Sequence, residues 1–208
     1  MQATMARRPP FRFYQITNRK ALAPERLPAV LEDLEQAGLR GIQIREKDLS
    51  PGELLHLVDS ILRRLRSETI LLVNERVDVA LARGLGVHRP EASLPVQEIR
   101  RRLGSDAWLG VSCHDLDGCR RAAAGGADFV TLSPVFLSPG KGAARGVEWL
   151  AGIAASTEIP IFALGGVTPE RVHDCLGAGA YGVAAIRATL TADDPAGAMR
   201  RFLKELNG

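Results

Sequence analysis

Residues 161–186 carry the pattern that decides the fold, IFALGGVTPERVHDCLGAGAYGVAAI. The apolar run Ile161–Leu164 predicts a strand, Gly165-Gly166 predicts a turn, and Pro169–Leu176 has the period of a helix. A second apolar run, Gly182–Ile186, predicts the next strand. A strand, a helix and a strand in this order are typical of a βαβ unit, whose two strands lie parallel.

The rest of the chain repeats this unit, and we predict eight strands that alternate with eight helices. The predicted strands are Arg12–Thr17, Gly41–Arg45, Ile70–Asn74, Gly86–His88, Trp108–Ser112, Phe129–Ser133, Ile161–Leu164 and Gly182–Ile186. The predicted helices are Leu27–Ala37, Pro51–Arg66, Val77–Ala82, Val96–Leu103, Leu116–Ala124, Val147–Ala155, Pro169–Leu176 and Pro195–Leu206. Three of these helices begin with a capping side chain before a proline, at Ser50-Pro51, Thr168-Pro169 and Asp194-Pro195.

Eight βα units in series predict an α/β fold with a parallel sheet closed into a (β/α)8 TIM barrel. The alternative is an open doubly wound sheet, but that fold has a glycine-rich first turn, whereas the first strand here runs into Thr17-Asn18-Arg19. The chain has 208 residues, of which 46% are hydrophobic and 25% charged, a composition that suits one domain of near-minimal barrel length. We expect residues 1–10 to be a flexible basic leader and residues 11–208 to be the barrel.

The charge distribution argues against a nucleic-acid partner. The net charge is +3, but the first 20 residues contain five basic residues and no acidic one, so the remaining chain carries a small negative charge. A nucleic-acid site needs a basic surface, commonly with aromatic residues among the cations, and that pattern is missing. The sequence also has no apolar run of about 18 residues and no secretory signal, so we expect no membrane span. Three cysteines without CxxC spacing, Cys113, Cys119 and Cys175, favour reduced thiols and a cytoplasmic location.

Functional residues of a TIM barrel lie where its strands end, at the carboxyl-terminal face. After the second predicted strand, Gln43, Arg45 and Lys47 alternate along an extended backbone and therefore share one face. Two cations at this spacing favour an anion-binding site. The alternative is that Arg45 and Lys47 form ion pairs with Glu46 and nearby acids.

The third and fourth strands also end in polar residues. Asn74-Glu75 supplies an amide and a carboxylate, which suit a hard cation such as magnesium with a phosphate substrate. Glu75 has the alternative role of stabilising the start of the next helix. His88 follows the fourth strand, and a single histidine there is more often structural than catalytic.

The later strands end in groups that suit a phosphate. The fifth strand ends at Ser112, and the sixth runs into a loop with Ser138 and Lys141 that is able to close over an anion. Gly165-Gly166 after the seventh strand, with a short helix after the eighth, predicts a phosphate cradle of backbone N–H groups. The alternative for the two glycines is a plain tight turn.

Six of these loops together resemble the thiamine phosphate synthase family, which also contains the TenI-like thiazole tautomerases. The resemblance extends over nearly the whole chain, from Phe13 to Leu203, and depends on six segments in the same order. They are Gln43-Ile44-Arg45-Glu46-Lys47, residues 73–78 (VNERVD), Gly86-Val87-His88, Gly110-Val111-Ser112, residues 133–136 (SPVF) with Lys141, and residues 163–167 (ALGGV).

The resemblance implies a synthase in which aminopyrimidine methyl pyrophosphate loses pyrophosphate and a thiazole phosphate attacks the carbocation. It assigns residues to three groups. The pyrophosphate side has Arg45, Lys47, Asn74 and Lys141; the pyrimidine side has Gln43 and Ser112; the thiazole phosphate cradle has Gly165, Gly166, Ile186 and Arg187. Ser138, in the loop that carries Lys141, is a further expected substrate-binding residue. Arg45, Lys47, Lys141 and Ser112 are the expected catalytic residues. Relatives in this family often pair, so a homodimer is possible.

The metal-binding positions differ from the family pattern. The Asn-Asp pair is Asn74-Glu75 here, and the second metal aspartate is replaced by Ser93, with Glu91 two residues away. We therefore expect Mg²⁺ to bind through Glu75, and less tightly than with two carboxylates.

Two alternatives to the synthase remain. A thiazole tautomerase moves a proton and needs no metal, and Ala144-Arg145-Gly146-Val147 resembles that branch. One tautomerase pattern has a histidine where this chain has Pro134, so His88 or His114 would have to act as the acid or base. The other alternative is a binder of thiazole or thiamine phosphate without turnover. Because the pyrophosphate-side residues are retained, we predict the synthase.

Overall fold

The fold was taken from a computed structural model, which describes residues 7–23, 25–138 and 142–208. Eight parallel strands close into a barrel in chain order, so the predicted (β/α)8 architecture is confirmed. The strands are β1 (Phe13–Ile16), β2 (Gly41–Ile44), β3 (Ile70–Asn74), β4 (Gly86–Arg89), β5 (Leu109–Cys113), β6 (Phe129–Leu132), β7 (Ile161–Leu164) and β8 (Gly182–Ala185). The barrel closes where β8 pairs with β1, with Tyr14 opposite Ala184.

The helices surround the barrel. They are α1 (Leu27–Gln36), α2 (Pro51–Leu62), α3 (Val77–Arg83), α4 (Val96–Leu103), α5 (Leu116–Ala124), α6 (Val147–Ala154), α7 (Val172–Gly177), α8 (Arg187–Leu190) and α9 (Pro195–Asn207). Ser50 and Asp194 cap their helices as predicted. Thr168 makes no capping bond, and the chain after it first forms the 3₁₀ turn Pro169–Arg171. None of the helices that the model describes is long and apolar enough to cross a membrane.

Helix α2 ends four residues before the predicted Arg66. The backbone N–H of Arg66 donates to Oε1 of the buried Glu35, 2.7 Å away. This bond takes up the N–H that a continuing helix would donate to the Leu62 carbonyl. The polar contact with Glu35, which the helical pattern does not reveal, therefore keeps Arg66 out of α2.

Alternate residues of the strands pack on opposite sides of the sheet. Leu71 and Val73 of β3 belong to the layer between strands and helices, whereas Leu72 between them belongs to the cluster inside the barrel. Phe11 lies just before β1 and fills the amino-terminal end of that interior. Gly41 makes this possible, because a Cβ there would lie 2.5 Å from the Phe11 ring.

Residues 7–10, which we expected to belong to a flexible leader, contact the barrel. The Arg7 guanidinium lies 3.5 Å from the centre of the Trp108 ring and 3.6 Å from the Asp128 carboxylate. The Tyr181 hydroxyl donates to the carbonyl of the buried Pro9. Aromatic and acidic side chains at this end of the barrel thus contact residues 7–10, and the flexibility of the leader stays a prediction. Residues 1–6 of the expected leader lie outside the described residues.

Candidate active site

Most of the predicted site residues come together at the carboxyl ends of the strands. They line a cavity of about 250 Å³ together with Ile16, Pro90, Glu91, Ser133 and Leu164. The predicted residues on its wall are Gln43, Arg45, Lys47, Asn74, Ser112, His114, Ser138, Gly165 and Ile186. The barrel topology therefore converts six separate strand ends into one site.

A buried carboxylate fixes the segment that carries Arg45. Glu46 is 6% exposed, and its Oε1 accepts a hydrogen bond of 2.6 Å from the Thr17 hydroxyl. Both of its carboxylate oxygens also accept from the Arg19 backbone N–H, at 3.0 and 3.1 Å. The Thr17 hydroxyl accepts from the backbone N–H of Arg45 at 2.8 Å. Burial raises the pKa of Glu46, and these hydrogen bonds oppose that shift.

This arrangement leaves the two cations that follow β2, Arg45 and Lys47, for a ligand. The alternative interpretation was that Arg45 and Lys47 pair with Glu46, but Glu46 is bound to Thr17 and Arg19 instead. Within the described segments, neither Arg45 nor Lys47 forms an ion pair. Arg45 is half-buried and Lys47 exposed. Two cations without carboxylate partners on a cavity wall suit a multiply charged anion.

A chain of hydrogen bonds lies beneath the cavity floor. Nε2 of His88 lies 3.0 Å from the Ser112 hydroxyl, and Nδ1 lies 3.3 Å from the Tyr14 hydroxyl. Burial, with a smaller effect of the Arg45 charge, lowers the pKa of His88 to about 3. His88 is therefore neutral near pH 7. It does not line the cavity, so it positions Ser112 and does not reach a ligand itself.

Gln43 is a buried residue on the cavity wall. It is 2% exposed, and its Nε2 makes no hydrogen bond of good geometry among the described residues, although its side chain lies close enough to the Tyr14 hydroxyl to oppose the rise that burial causes in the pKa of Tyr14. A buried donor without a partner costs about 1–3 kcal/mol, which a ligand acceptor would recover. Asn74, 8% exposed, lies on the same wall.

A second cavity of about 500 Å³ adjoins the first and shares four residues with it. The shared residues are Ser138, Leu164, Gly165 and Ile186. Gly165 and Gly166 have φ of +101° and +61°, so the turn after β7 uses a backbone conformation that favours glycine. A Cβ on Gly166 would lie 2.3 Å from the Leu137 carbonyl oxygen. The loop after β6 therefore packs directly on this turn.

Two arginines line the second cavity. Arg187 begins α8 and is exposed, as is Arg171 in the turn before α7. We did not predict Arg171 from the sequence. Its only signal is a position five residues after Gly166, in a loop at the functional end of the barrel.

His114 and Glu91 form a second polar pair on the wall of the first cavity. Nδ1 of His114 lies 2.7 Å from the Ser133 carbonyl oxygen, and Nε2 lies 3.7 Å from the Glu91 carboxylate. Because a carbonyl only accepts, Nδ1 carries a proton. The other nitrogen therefore faces a carboxylate at the cavity. Sequence reasoning named His114 but gave Glu91 no role beyond its proximity to the missing metal ligand.

The metal-binding expectation has little support in the described residues. Glu75 is exposed and does not line the cavity. Ser93 lies in a turn where its carbonyl accepts from Arg89 at 3.0 Å. Across residues 7–23, 25–138 and 142–208, no group of three His, Cys, Asp or Glu residues is placed to hold an ion. A hard dication prefers several oxygen ligands. Glu91 is the one described carboxylate that lines the cavity. The described residues therefore do not fit a preformed Mg²⁺ centre.

Lys141, the remaining predicted catalytic residue, lies outside the described residues. The described part of its loop ends at Ser138 on one side and resumes at Gly142 on the other. Ser138, the described residue before this gap, lines both cavities.

Comparison with known sequences identifies the family of this chain. A family model described as thiamine monophosphate synthase matches residues 13–189. A putative thiamine-phosphate synthase of Geobacter sulfurreducens is 42% identical over 199 residues, which is 93% of each chain. The thiamine-phosphate synthase of Roseiflexus sp. is 38% identical and covers 90% of this chain and 81% of its own length. The structure of thiamine phosphate pyrophosphorylase from Pyrococcus furiosus superimposes with a TM-score of 0.84 at 27% identity, over 94% of this chain and 95% of that chain. The resemblance predicted from six loops is confirmed, and the chain belongs to the thiamine monophosphate synthase family.

Proposed function

We propose that this chain couples aminopyrimidine methyl pyrophosphate to a thiazole phosphate, forming thiamine phosphate and releasing pyrophosphate. The observation that carries the proposal is the position of Arg45 and Lys47, two cations without described carboxylate partners, on a cavity that adjoins the Gly165-Gly166 cradle. One substrate has a diphosphate and the other a monophosphate. Two adjoining cavities, each lined by cationic side chains, suit that pair of small-molecule substrates.

In the proposed reaction, the negative charge that needs stabilisation develops on the diphosphate. When the bond between the methylene carbon and the diphosphate oxygen breaks, its electron pair leaves with the diphosphate and a pyrimidine carbocation remains. The thiazole nitrogen then donates its lone pair to that carbon and forms the new C–N bond. Arg45 and Lys47 stabilise the charge that develops on the leaving group, and they are already in place when it develops.

The pyrimidine ring is held by the polar groups of the cavity floor. Gln43 supplies its unpartnered Nε2–H donors, and Ser112 supplies a hydroxyl that His88 positions from below. A Tyr14 hydroxyl that donates to Nδ1 of His88 would leave the proton on Nε2, which then donates to Ser112. In that arrangement the Ser112 proton is free to bond a ring nitrogen. Asn74 and Ser138 complete the wall on the diphosphate side.

The thiazole phosphate occupies the second cavity. Its phosphate lies against the turn at Gly165 and Gly166, and Ile186 and Arg187 after the neighbouring strand β8 line the same cavity. The shared residues Ser138 and Leu164 place the thiazole ring next to the pyrimidine site. Lys141 is assigned to the diphosphate on the resemblance alone.

Mg²⁺ is used by enzymes of this family. In this chain the described residues supply neither a carboxylate pair nor a cavity-facing Glu75. We therefore assign the stabilisation of the diphosphate charge to Arg45 and Lys47 and give Glu75 no role in a step.

A thiazole tautomerase is the second candidate, and the His114–Glu91 pair is the observation that favours it. The pair lines the cavity with its facing atoms 3.7 Å apart, and a histidine beside a carboxylate is a pair of groups that general acid–base catalysis uses. His88, the other histidine considered for this role, is neutral and lies below the cavity wall.

An activity assay that identifies the products distinguishes the synthase from the tautomerase and from a binder without turnover. Purified chain with both phosphorylated halves should form thiamine phosphate and pyrophosphate in equal amounts. Arg45→Ala should lower kcat/KM by about 10²- to 10³-fold, as removal of one preorganised donor to a developing negative charge does. Arg101→Ala, which removes an exposed arginine of α4, is the matched control and should leave the rate unchanged.

Other outcomes of the same assay identify the alternatives. Isomerisation of a thiazole carboxylate phosphate without any coupling would assign the chain to the tautomerases. Binding of thiazole phosphate or thiamine phosphate by calorimetry, with no product from either reaction, would identify a binder. Equal coupling rates for wild type and Arg45→Ala would show that the assignment of Arg45 is wrong.

A further inference from the structure

Arg171 joins the two segments that form the second cavity. Its guanidinium carbon lies 4.6 Å from the centre of the Phe136 ring, in the loop after β6. Its Nη1 donates to the carbonyl oxygen of Gly166, in the turn after β7, at 2.7 Å. Contact with an aromatic face and a hydrogen bond fix the planar group in two directions.

The segments that Arg171 contacts are themselves held together by backbone bonds. The N–H of Val135 donates to Leu164 at 2.9 Å, and the N–H of Phe136 donates to Gly165 at 3.0 Å. The Arg171 guanidinium is therefore attached to a fixed framework, although its side chain is exposed.

The guanidinium has donors left for a ligand. An arginine side chain carries five N–H donors, and the described contacts of Arg171 use one of them, to Gly166. In the part of the chain that the structure describes, no carboxylate forms an ion pair with Arg171. The residue lines the cavity together with Gly165 and Arg187. A positioned cation with unused donors beside a glycine turn suits a phosphate monoester.

We propose that Arg171 is a specificity-determining residue of this cavity, selecting the phosphorylated thiazole over the corresponding uncharged alcohol. The proposal rests on the proposed function, since it names the ligand of the second cavity. Arg171 binds the phosphate directly, and Phe136 positions its guanidinium. The glycine turn alone offers backbone donors that an alcohol also satisfies, whereas the fixed charge rewards only the phosphate.

Calorimetric titration with thiazole phosphate and with the unphosphorylated thiazole alcohol tests the proposal. Arg171→Ala should weaken binding of the phosphate by about 10- to 100-fold, the range expected for a hydrogen bond to a charged group. Binding of the alcohol should change by less than about threefold. Arg101→Ala is the control for loss of an exposed arginine and should change neither affinity. An equal loss for both ligands, or no loss for either, would overturn the proposal.

The role of Phe136 gives a second, independent readout. Phe136→Leu keeps an apolar side chain but removes the aromatic face, and it should weaken phosphate binding less than Arg171→Ala does. Because both changes act on one guanidinium, the double variant should bind no more weakly than Arg171→Ala alone. Additive losses would show that Phe136 does not act through Arg171. Unfolding curves of each variant confirm that the fold persists.

The binding assay also keeps this proposal separate from the synthase assignment. If wild-type protein selects the phosphate but forms no thiamine phosphate, the proposed reaction is wrong and the role of Arg171 stands. If wild-type protein couples the two halves but binds both thiazoles equally, the role of Arg171 is wrong and the reaction stands.

Discussion

The two ends of the barrel interior are built from the same strands but have opposite character. At the amino-terminal end, Phe11, Tyr14, Phe129 and Phe162 pack ring against ring, with Phe129 and Phe162 centroids 5.2 Å apart. Two residues further along β6, Thr131 lies among the polar groups at the other end. The comparison shows that only two residues along one strand separate an apolar core from a polar site. We call the amino-terminal end the closed end and the carboxyl-terminal end, with its cavities, the open end. Stability and ligand binding are therefore expected to respond to different substitutions on the same strand.

Truncating a ring at the closed end should have the largest effect. Phe129 is fully buried and contacts both Tyr14 and Phe162, so Phe129→Ala should lower the free energy of unfolding by about 3–5 kcal/mol. Lys47→Ala at the open end is the comparison variant and should change it by less than about 0.5 kcal/mol. Urea unfolding curves measure both. Similar values for the two variants would contradict the division between the ends.

His88 lies at the boundary between the two ends, and its burial makes stability depend on pH. The pKa of His88 is about 3 in the folded protein, compared with 6.5 for an ordinary histidine. Below pH 6.5 the unfolded chain binds a proton that the folded chain does not. Stability is therefore lost as the pH falls from 6.5 towards 3, by about 1.4 kcal/mol per pH unit from this group.

Substitution of His88 tests this contribution. His88→Gln removes the titrating group and keeps an amide near Ser112, so its unfolding free energy should fall less steeply between pH 6.5 and 4. His56→Gln is the control, because His56 is exposed on α2. Denaturant unfolding at a series of pH values gives both slopes. Parallel curves for wild type and His88→Gln would show that His88 is not buried in its neutral form.

The sequence predicted the strands and the open end well because both follow from short-range patterns. Alternation placed Gln43, Arg45 and Lys47 on one face, and strand ends in a closed barrel converge whatever the details of packing. The parts that were missed depend on contacts distant in the chain. Arg171 acquires its position from Phe136, 35 residues earlier, and residues 7–10 are held by Trp108 and Tyr181. A homodimer and a cytoplasmic location stay predictions.

The conformation of one turn explains why Glu75 does not reach the cavity as a Mg²⁺ ligand would. Glu75 follows a strand end, as a ligand should, but it adopts φ of +64° and its side chain is exposed. Its backbone N–H donates to His88 at 2.8 Å, which fixes this turn beside β4. Spacing along a sequence predicts the strand end at which a residue lies, whereas the turn conformation decides where its side chain lies.

The smallest expected effect comes from a substitution that changes both stability and substrate binding. Thr17→Val keeps the shape of the side chain but removes the hydroxyl that donates to Glu46 and accepts from the Arg45 backbone. The buried carboxylate loses one of its partners, so the free energy of unfolding should fall by about 1–2 kcal/mol. Because Arg45 also loses its tether, the KM for the diphosphate substrate should rise several-fold. Thr17→Ser retains the hydroxyl and should restore both values towards wild type. A loss of stability with an unchanged KM would contradict this link. It would show that the Glu46 carboxylate supports the fold without positioning Arg45 for the substrate.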